Sequence, residues 1–560
     1  MAESVHPLVL RAREAFARSE IKSAEQAVEE RLRTAGRDIN ALEVRYQIQK
    51  HRGQFGEAAR TLDTVIGINS RADWAYNELI KLLMTHGKTA DAEQVTRAAL
   101  RANPNNAQAH NIFGVIISDS GDLLAGEWHF RRALEIGAAL PQGAAGQAPF
   151  LTNLGDNLAR QERLEEANTC FERAHQLAPN DAKTLASWAK LRDARGELAR
   201  AGELIDQAAA AASSEDITLL RANHLARSGK MEEALATLNS AKNLSGEGQL
   251  ARGRLYEHLG RYEDAWQDFF AGKRKLATEA GGLQYKADAV EALFGRFKQF
   301  FTRENMARMP RARQRTDVAQ PIFIMGLPRS GTTVVDQIIR SHSRVPAGGE
   351  LAFLGELRKV ASDVLPAPQA FPENLAQSWT ADRHYTASLF RDYYLARAEG
   401  YGLLGRANGQ TFFTDRMPFN ELYLPLLKMA FPEAKIVHIM RHPLDVCVSM
   451  MSSNVTLGFN CGYRIEDAAH HLAAVFDLFE HYRREMELGD YVVQYETLVA
   501  DPGGQTRKLL DYLELPFEEL CVRTQLGDGS LNRHRHYAQH LKPYVSRVRP
   551  MMAAYGYEES

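Results

Sequence analysis

A glycine followed five residues later by an alanine returns along the first half of the chain. It occurs as Gly53/Ala58, Gly87/Ala92, Gly196/Ala201, Gly229/Ala234 and Gly260/Ala265. Gly53, Gly87 and Gly121 are spaced 34 residues apart. Two degenerate copies, Ser19/Ala24 and Glu162/Ala167, fit the same frame. The pattern predicts paired antiparallel helices. The glycine ends the first helix of each pair in the left-handed conformation that only glycine adopts cheaply. The alanine lets the second helix press close to the first. Asparagine and proline, as in "ANPNN" and "APND", punctuate the ends of the second helix of each pair. Each pair leaves an apolar face that the next pair buries, so this half must fold as a stack of helical hairpins.

The period and the glycine and alanine positions resemble a tetratricopeptide-repeat array of about eight units, residues 5–275. The resemblance implies an all-α solenoid whose concave groove receives a peptide or a partner protein. That half is expected to bind and not to do chemistry. Residues 138–149, within "GAALPQGAAGQAP", are expected to be a surface loop. Residues 276–319, mixing aromatic and basic side chains, are expected to be a helical junction docking the array onto the second half of the chain.

At 560 residues the chain is long enough for two or more domains. It is 45% hydrophobic and 25% charged, with a formal net charge of −2. No global basic field suits nucleic acid or an anionic membrane, so an anion site must be built locally. The four cysteines, Cys170, Cys447, Cys461 and Cys521, form no CxxC pair; no metal site is expected, and a reducing compartment is the default. No apolar stretch reaches about 18 residues, and the first residues make a poor signal peptide, so a cytoplasmic protein is expected.

The chemistry is expected in the second half. "PIFIM" (321–325) reads as a buried strand, "GLPRSGTT" (326–333) as a glycine loop and "VVDQIIRSH" as a helix. A strand, glycine loop and helix together form an anion cradle of backbone N–H groups. Gly331 supplies the turn, and Ser330, Thr332 and Thr333 add hydroxyl donors. Thr332 stands where a nucleotide-triphosphate loop carries lysine; the cation is instead Arg329, which can fork onto a tetrahedral anion. A second strand, "KIVHIM", ends at Arg441. Pro443 starts a helix there that carries Ser449. An arginine and a helix hydroxyl can converge on a second phosphate. His438, inside the strand, reads as a packed core histidine.

"PRSGTT" followed by R-x7-S resembles the signature by which sulfotransferases bind 3′-phosphoadenosine 5′-phosphosulfate (PAPS). Residues 321–543 resemble the tyrosylprotein-sulfotransferase-related domain of bacterial tetratricopeptide-repeat sulfotransferases. "GGELAFL", "TDRMPFN" and "VQYETLVADP" agree in order. The resemblance implies an α/β domain over 320–545 with a central parallel sheet and a phosphate-binding loop. It implies that the loop holds the 5′-phosphosulfate, that Arg441 and Ser449 hold the 3′-phosphate, and that Tyr495 contacts the nucleotide. "SLNRHRHYAQHL" resembles a family element that places Arg533 near the 3′-phosphate, with His534 where relatives carry tryptophan. The segment between Thr524 and Ser530 is shorter than usual. Glu350 takes the position of the general base, which needs a partly buried site to be effective. Arg416 stands where relatives generally carry lysine; it can stabilise charge but cannot donate a proton to a leaving group. Asp415 is expected to be structural. The implied reaction transfers a sulfuryl group from PAPS to an acceptor hydroxyl, a protein tyrosine or a carbohydrate, with no metal. Two alternatives stand beside it: a P-loop kinase, and a repeat scaffold whose nucleotide-binding domain is catalytically impaired.

Overall fold

The computed structural model describes residues 5–138, 144–282, 284–365, 367–379, 384–405, 409–455, 460–523 and 531–558. The chain divides into two compact units, Met1–Leu220 and Arg221–Ser560.

The first unit is built of antiparallel helix pairs, such as Ile39–His51 with Phe55–Ile68 and Asp73–Thr85 with Thr89–Ala102. Each pair turns at the expected position. Gly53 and Gly87 both have φ of 69°. Ser19 and Glu162, the two degenerate copies, take the same left-handed turn at φ 63° and 61° although each carries a side chain. Ala24, Ala58, Ala92, Ala167 and Ala201 are fully buried at the pair contact. In the copy that begins at Gly121, Gly126 stands in place of the alanine, and a Cβ there would lie 2.0 Å from Ser118 Oγ. Within these stretches Asn106 and Asp181 cap the starts of the helices that follow: Asn106 Oδ1 accepts the Ala109 N–H at 3.0 Å and Asp181 Oδ2 accepts the Thr184 N–H at 2.8 Å. Of the loop expected at 138–149, residues 139–143 lie outside the described residues. Ala138 ends a helix, Ala144–Gln147 form a 3₁₀ turn and the next helix starts at Ala148.

The second unit holds a four-stranded parallel sheet of β1 (Gln320–Met325), β2 (Phe412–Asp415), β3 (Lys435–Met440) and β4 (Tyr491–Gln494), in the order β2-β1-β3-β4. Its central strands, β1 and β3, are buried on both faces, as a parallel sheet covered by helices requires. Ile322, Ile324, Val437 and Ile439 face one cluster with Val335 and Ile338 of the helix Thr332–Arg340. The alternate positions Phe323, Met325, Ile436 and Met440 face the other. His438 lies on that second face, stacked on Phe479 at 3.9 Å, and burial pushes its pKa down to about 3. It is the core histidine that its strand position suggests.

The second cluster continues without a break into Leu250, Trp266 and Phe269, from helices that carry the repeat pattern, and into Phe294, Phe297 and Phe301. The repeat pattern therefore extends past Leu220 into the unit that holds the sheet. In the junction helix Ala287–Phe300 the aromatic side chains enter this core, while Arg296 and Lys298 pair with Glu373 and Asp477. Among the described residues, no helix is long and apolar enough to cross a membrane.

The strand order fixes where a ligand can sit. From β1 the chain moves to β2 on one side, and β3 returns to the other side of β1 before leading to β4. The connections leave the carboxyl ends of β1 and β3 in opposite directions, and a crevice opens between them.

Candidate active site

The loop after β1 lies in that crevice. Gly326 has φ 155°, and a Cβ there would sit 2.8 Å from the Ile439 carbonyl of β3. Its N–H donates to Glu421 Oε1 at 2.8 Å. Arg329 takes a left-handed φ of 72° and Gly331, capping the helix Thr332–Arg340, a φ of 109°. The Gly331 carbonyl accepts the Val334 and Val335 N–H groups, so the amides of the first helical turn are presented to the crevice side of the loop. Ser330 is 1% exposed, and among the described residues its hydroxyl has no hydrogen-bond partner. A helix start, an orphaned buried hydroxyl and a guanidinium together fit an anion.

The cations gather around this loop. Arg329 Nε donates to Ser449 Oγ at 3.0 Å. Arg441 Nη1 donates to the Arg329 carbonyl at 3.2 Å, and the Arg441 guanidinium lies 5.2 Å from the centre of the Tyr495 ring. That ring packs under the loop: a Cβ at Gly331 would be 2.4 Å from Tyr495 Cδ2. Desolvation by the surrounding protein lowers the pKa of Arg329, and the like charges of Arg441, Arg533 and Arg254 add to the effect. Among the described residues, no carboxylate stands within ion-pair distance of Arg329, whereas Arg441 lies 3.7 Å from Asp445. Holding Arg329 among three like charges costs free energy that a bound anion would offset.

Glu350 and Arg416 form a second group. Arg416 Nη1 donates to Glu350 Oε1 at 2.7 Å and its Nε to Asp336 Oδ2 at 3.2 Å. Asp336 sits on the helix that starts at the loop, so it ties this group to the phosphate cradle. The "PAGG" stretch is stitched to β2: Arg416 N–H donates to the Gly349 carbonyl at 2.9 Å, and a Cβ at Gly348 would lie 2.0 Å from the Thr414 carbonyl. The Glu350 side chain is 51% exposed. The partial burial expected of a general base is absent; a guanidinium partner takes its place. Asp415 is fully buried. Desolvation raises its pKa to about 7, opposed by hydrogen bonds from Tyr394, Met417 N–H and Asn420.

Near the C-terminus, Arg533 reaches Ser452 Oγ at 2.9 Å. His534 faces inward: its Nδ1 lies 2.7 Å from Asp445 Oδ1, and its ring stacks on His442 at 3.9 Å. Burial opposes ionisation of Asp445, but the His534 hydrogen bonds and Arg441 outweigh it and keep its pKa low. The stretch between Thr524 and Ser530 lies outside the described residues.

Arg329, Ser330, Gly331, Arg441, Ser449 and Tyr495 thus form one contact network with the helix start of Thr332 and Thr333. Glu350 and Arg416 join it through Asp336, and Arg533 through Ser452. Sequence reasoning missed Glu421, Asp336 and Asp445. Asp445 stands four residues after Arg441, but Arg441 precedes the helix Pro443–Met451, so the spacing was no helical signal. Glu421 and Asp336 carried none.

Residues 321–519 match the sulfotransferase family, and residues 51–112 and 148–181 match tetratricopeptide repeats. The chain thus joins segments that match tetratricopeptide repeats to a segment that matches the sulfotransferase family. An uncharacterised protein of Aquifex aeolicus is 25% identical over 418 residues, covering 69% of this chain and 53% of that protein. Protein-tyrosine sulfotransferase A of Caenorhabditis elegans is 24% identical over 199 residues, 35% of this chain and 50% of that protein. The chain therefore spans about half the length of these relatives. A tetratricopeptide repeat protein of Parabacteroides merdae aligns with 44% of this chain and 96% of its own, at 16% identity and a TM-score of 0.37.

Proposed function

We propose that the chain is a PAPS-dependent sulfotransferase that moves a sulfuryl group to an acceptor hydroxyl. The observation that carries this reading is Arg329. Its guanidinium has no carboxylate partner among the described residues and stands between the glycine loop and Ser449, with Arg441 beside it. An anion site on the loop and a second one at Arg441 and Ser449 would match a nucleotide phosphorylated at both 5′ and 3′ positions, and not a magnesium triphosphate. When bound, PAPS would supply an activated sulfuryl group whose S–O bond to the phosphate breaks as the acceptor oxygen bonds to sulfur.

The chain's own residues divide the work. Ser330, the amides of Thr332 and Thr333, and Arg329 hold the phosphosulfate end. Arg441, Ser449 and Arg533 hold the 3′ end, and Tyr495 supports both the loop and Arg441. Arg416 stabilises charge, while Glu350 accepts the acceptor's proton once Arg416 turns toward the sulfuryl group. The acceptor class we favour is tyrosine in a protein, because the relative of that name has that acceptor and a repeat groove suits a polypeptide. Residues 5–275 would be the repeat segment, 276–319 the junction and 320–545 the catalytic domain. The protein would work in the cytoplasm without a metal.

A second reading rests on the 2.7 Å Glu350–Arg416 pair. A base held by a guanidinium fits a nucleotide-binding scaffold without turnover. Calorimetry with 3′,5′-ADP and with ATP, followed by single-turnover assays with labelled PAPS and tyrosine peptides, tests both. Preference for 3′,5′-ADP together with sulfated peptide supports the enzyme. Binding without turnover on any acceptor supports the scaffold, and preference for ATP overturns the sulfotransferase reading.

A further inference from the structure

The helix Gly246–His258 carries the repeat pattern, yet it reaches the phosphate crevice within the second compact unit. Arg254 and Glu257, three residues apart, share one of its faces. That face meets the end of the helix Pro443–Met451, which carries Ser449. Arg254 Nη1 donates to the Ser452 carbonyl at 2.8 Å, and Lys273 Nζ, fully buried, donates to the Ser453 carbonyl at 2.7 Å. These carbonyls come just after the last turn of the helix, where partners along the chain run out and a cation is favoured.

Glu257 does something different. Its two carboxylate oxygens accept from Arg533 Nε and Nη2 at 2.8 and 2.7 Å, a bidentate fork that fixes the plane of the guanidinium. Both side chains are largely buried. Arg533 Nη2 also donates to Ser452 Oγ at 2.9 Å, one helical turn beyond the Ser449 hydroxyl that holds Arg329. Arg533, Arg254 and Arg441 all act as like charges on Arg329. Mutual repulsion would swing an untethered guanidinium outward, and Glu257 is the carboxylate that holds it in.

We propose that Glu257 is a positioning residue of the donor site, fixing Arg533 to receive the nucleotide's 3′-phosphate, so that a helix of the repeat segment completes that site. This rests on the reading of the crevice as a PAPS site. The repeat segment is then a structural part of donor binding and not only a recruiter of acceptors.

The test uses the full-length chain and calorimetry with 3′,5′-ADP and 5′-AMP. Glu257→Ala should weaken 3′,5′-ADP about tenfold and 5′-AMP by less than about twofold. Glu257→Gln keeps one acceptor oxygen and should fall between wild type and Glu257→Ala; it also serves if the alanine variant does not fold. Arg533→Ala should weaken 3′,5′-ADP, and adding Glu257→Ala to it should cost nothing more, because the glutamate acts through the arginine. Unchanged or tighter 3′,5′-ADP binding in Glu257→Ala, equal losses for both ligands, or additive losses in the double variant would overturn the proposal. A wild-type chain that does not distinguish 3′,5′-ADP from 5′-AMP would instead sink the reading of the crevice itself, and the proposal with it.

Discussion

Glu350 and Arg329 separate two kinds of contribution at single residues. Glu350 touches Arg416 and faces solvent, so its proposed work is on the acceptor. Glu350→Gln should leave 3′,5′-ADP affinity near wild type and lower the single-turnover rate by roughly 10²–10⁴-fold. Normal turnover in that variant would make the carboxylate a partner for Arg416 and nothing more. Arg329→Ala should reduce both affinity and rate, because its guanidinium meets the anion before and during transfer. The pattern of residue types at these positions was legible in the sequence, since glycine, arginine and hydroxyl residues at fixed offsets imply an anion cradle. The partners were not legible. Glu421 lies 95 residues from the Gly326 amide that it accepts, and only the folded sheet brings the two together. The exposure of Glu350 was equally hidden, because burial depends on what the rest of the chain packs against a loop.

Elements were read more securely than contacts. The two strands flanking the crevice declared themselves as short apolar runs ending at a glycine and an arginine, and β1 and β3 are neighbours in the sheet. The turns of the repeat pairs were equally plain, and their energetics can be isolated. Gly87 has φ 69° and open space where a Cβ would go. Gly87→Ala should therefore cost about 1–2 kcal/mol from backbone strain alone, measured by denaturant unfolding; a neutral result would mean that the turn relaxes. The end of β2 makes a prediction in pH. Burial raises Asp415 and Glu421 to about 7 from ordinary carboxyl values of 3.8 and 4.5. Between those values the native state binds protons that the unfolded chain has released. Their contribution to stability is thus present below about pH 4, falls as pH rises toward 7 and is level above it. Asp415→Asn should flatten the fall in Tm between pH 5 and pH 7 relative to wild type. An unchanged slope would place the titration elsewhere.

At the scale of the whole molecule, sequence pattern and compactness divide the chain at different places. The repeat signature runs through Gly260 and Ala265, while the compact units meet between Leu220 and Arg221. A repeat is visible because its turns and small residues recur. Which repeat shares a core with the next domain depends on side chains such as Trp266 and Phe269, which look the same in sequence whether they face another repeat or a sheet-containing domain. The difference has consequences for dissection. A fragment beginning at residue 315 would lose Trp266, Phe269, Phe294, Phe297 and Phe301, all buried in the cluster that covers one face of the sheet. At about 2 kcal/mol for each large buried side chain, the loss is roughly 10 kcal/mol, comparable to the entire stability of an ordinary domain. That fragment should be insoluble or lack a cooperative transition. A fragment of residues 221–560 keeps these side chains together with Arg254, Glu257 and Lys273. It should be soluble and bind 3′,5′-ADP within about twofold of the full-length chain. If the shorter fragment is soluble and binds equally well, the aromatic cluster is dispensable, and the sheet with its own helices is the complete folding unit.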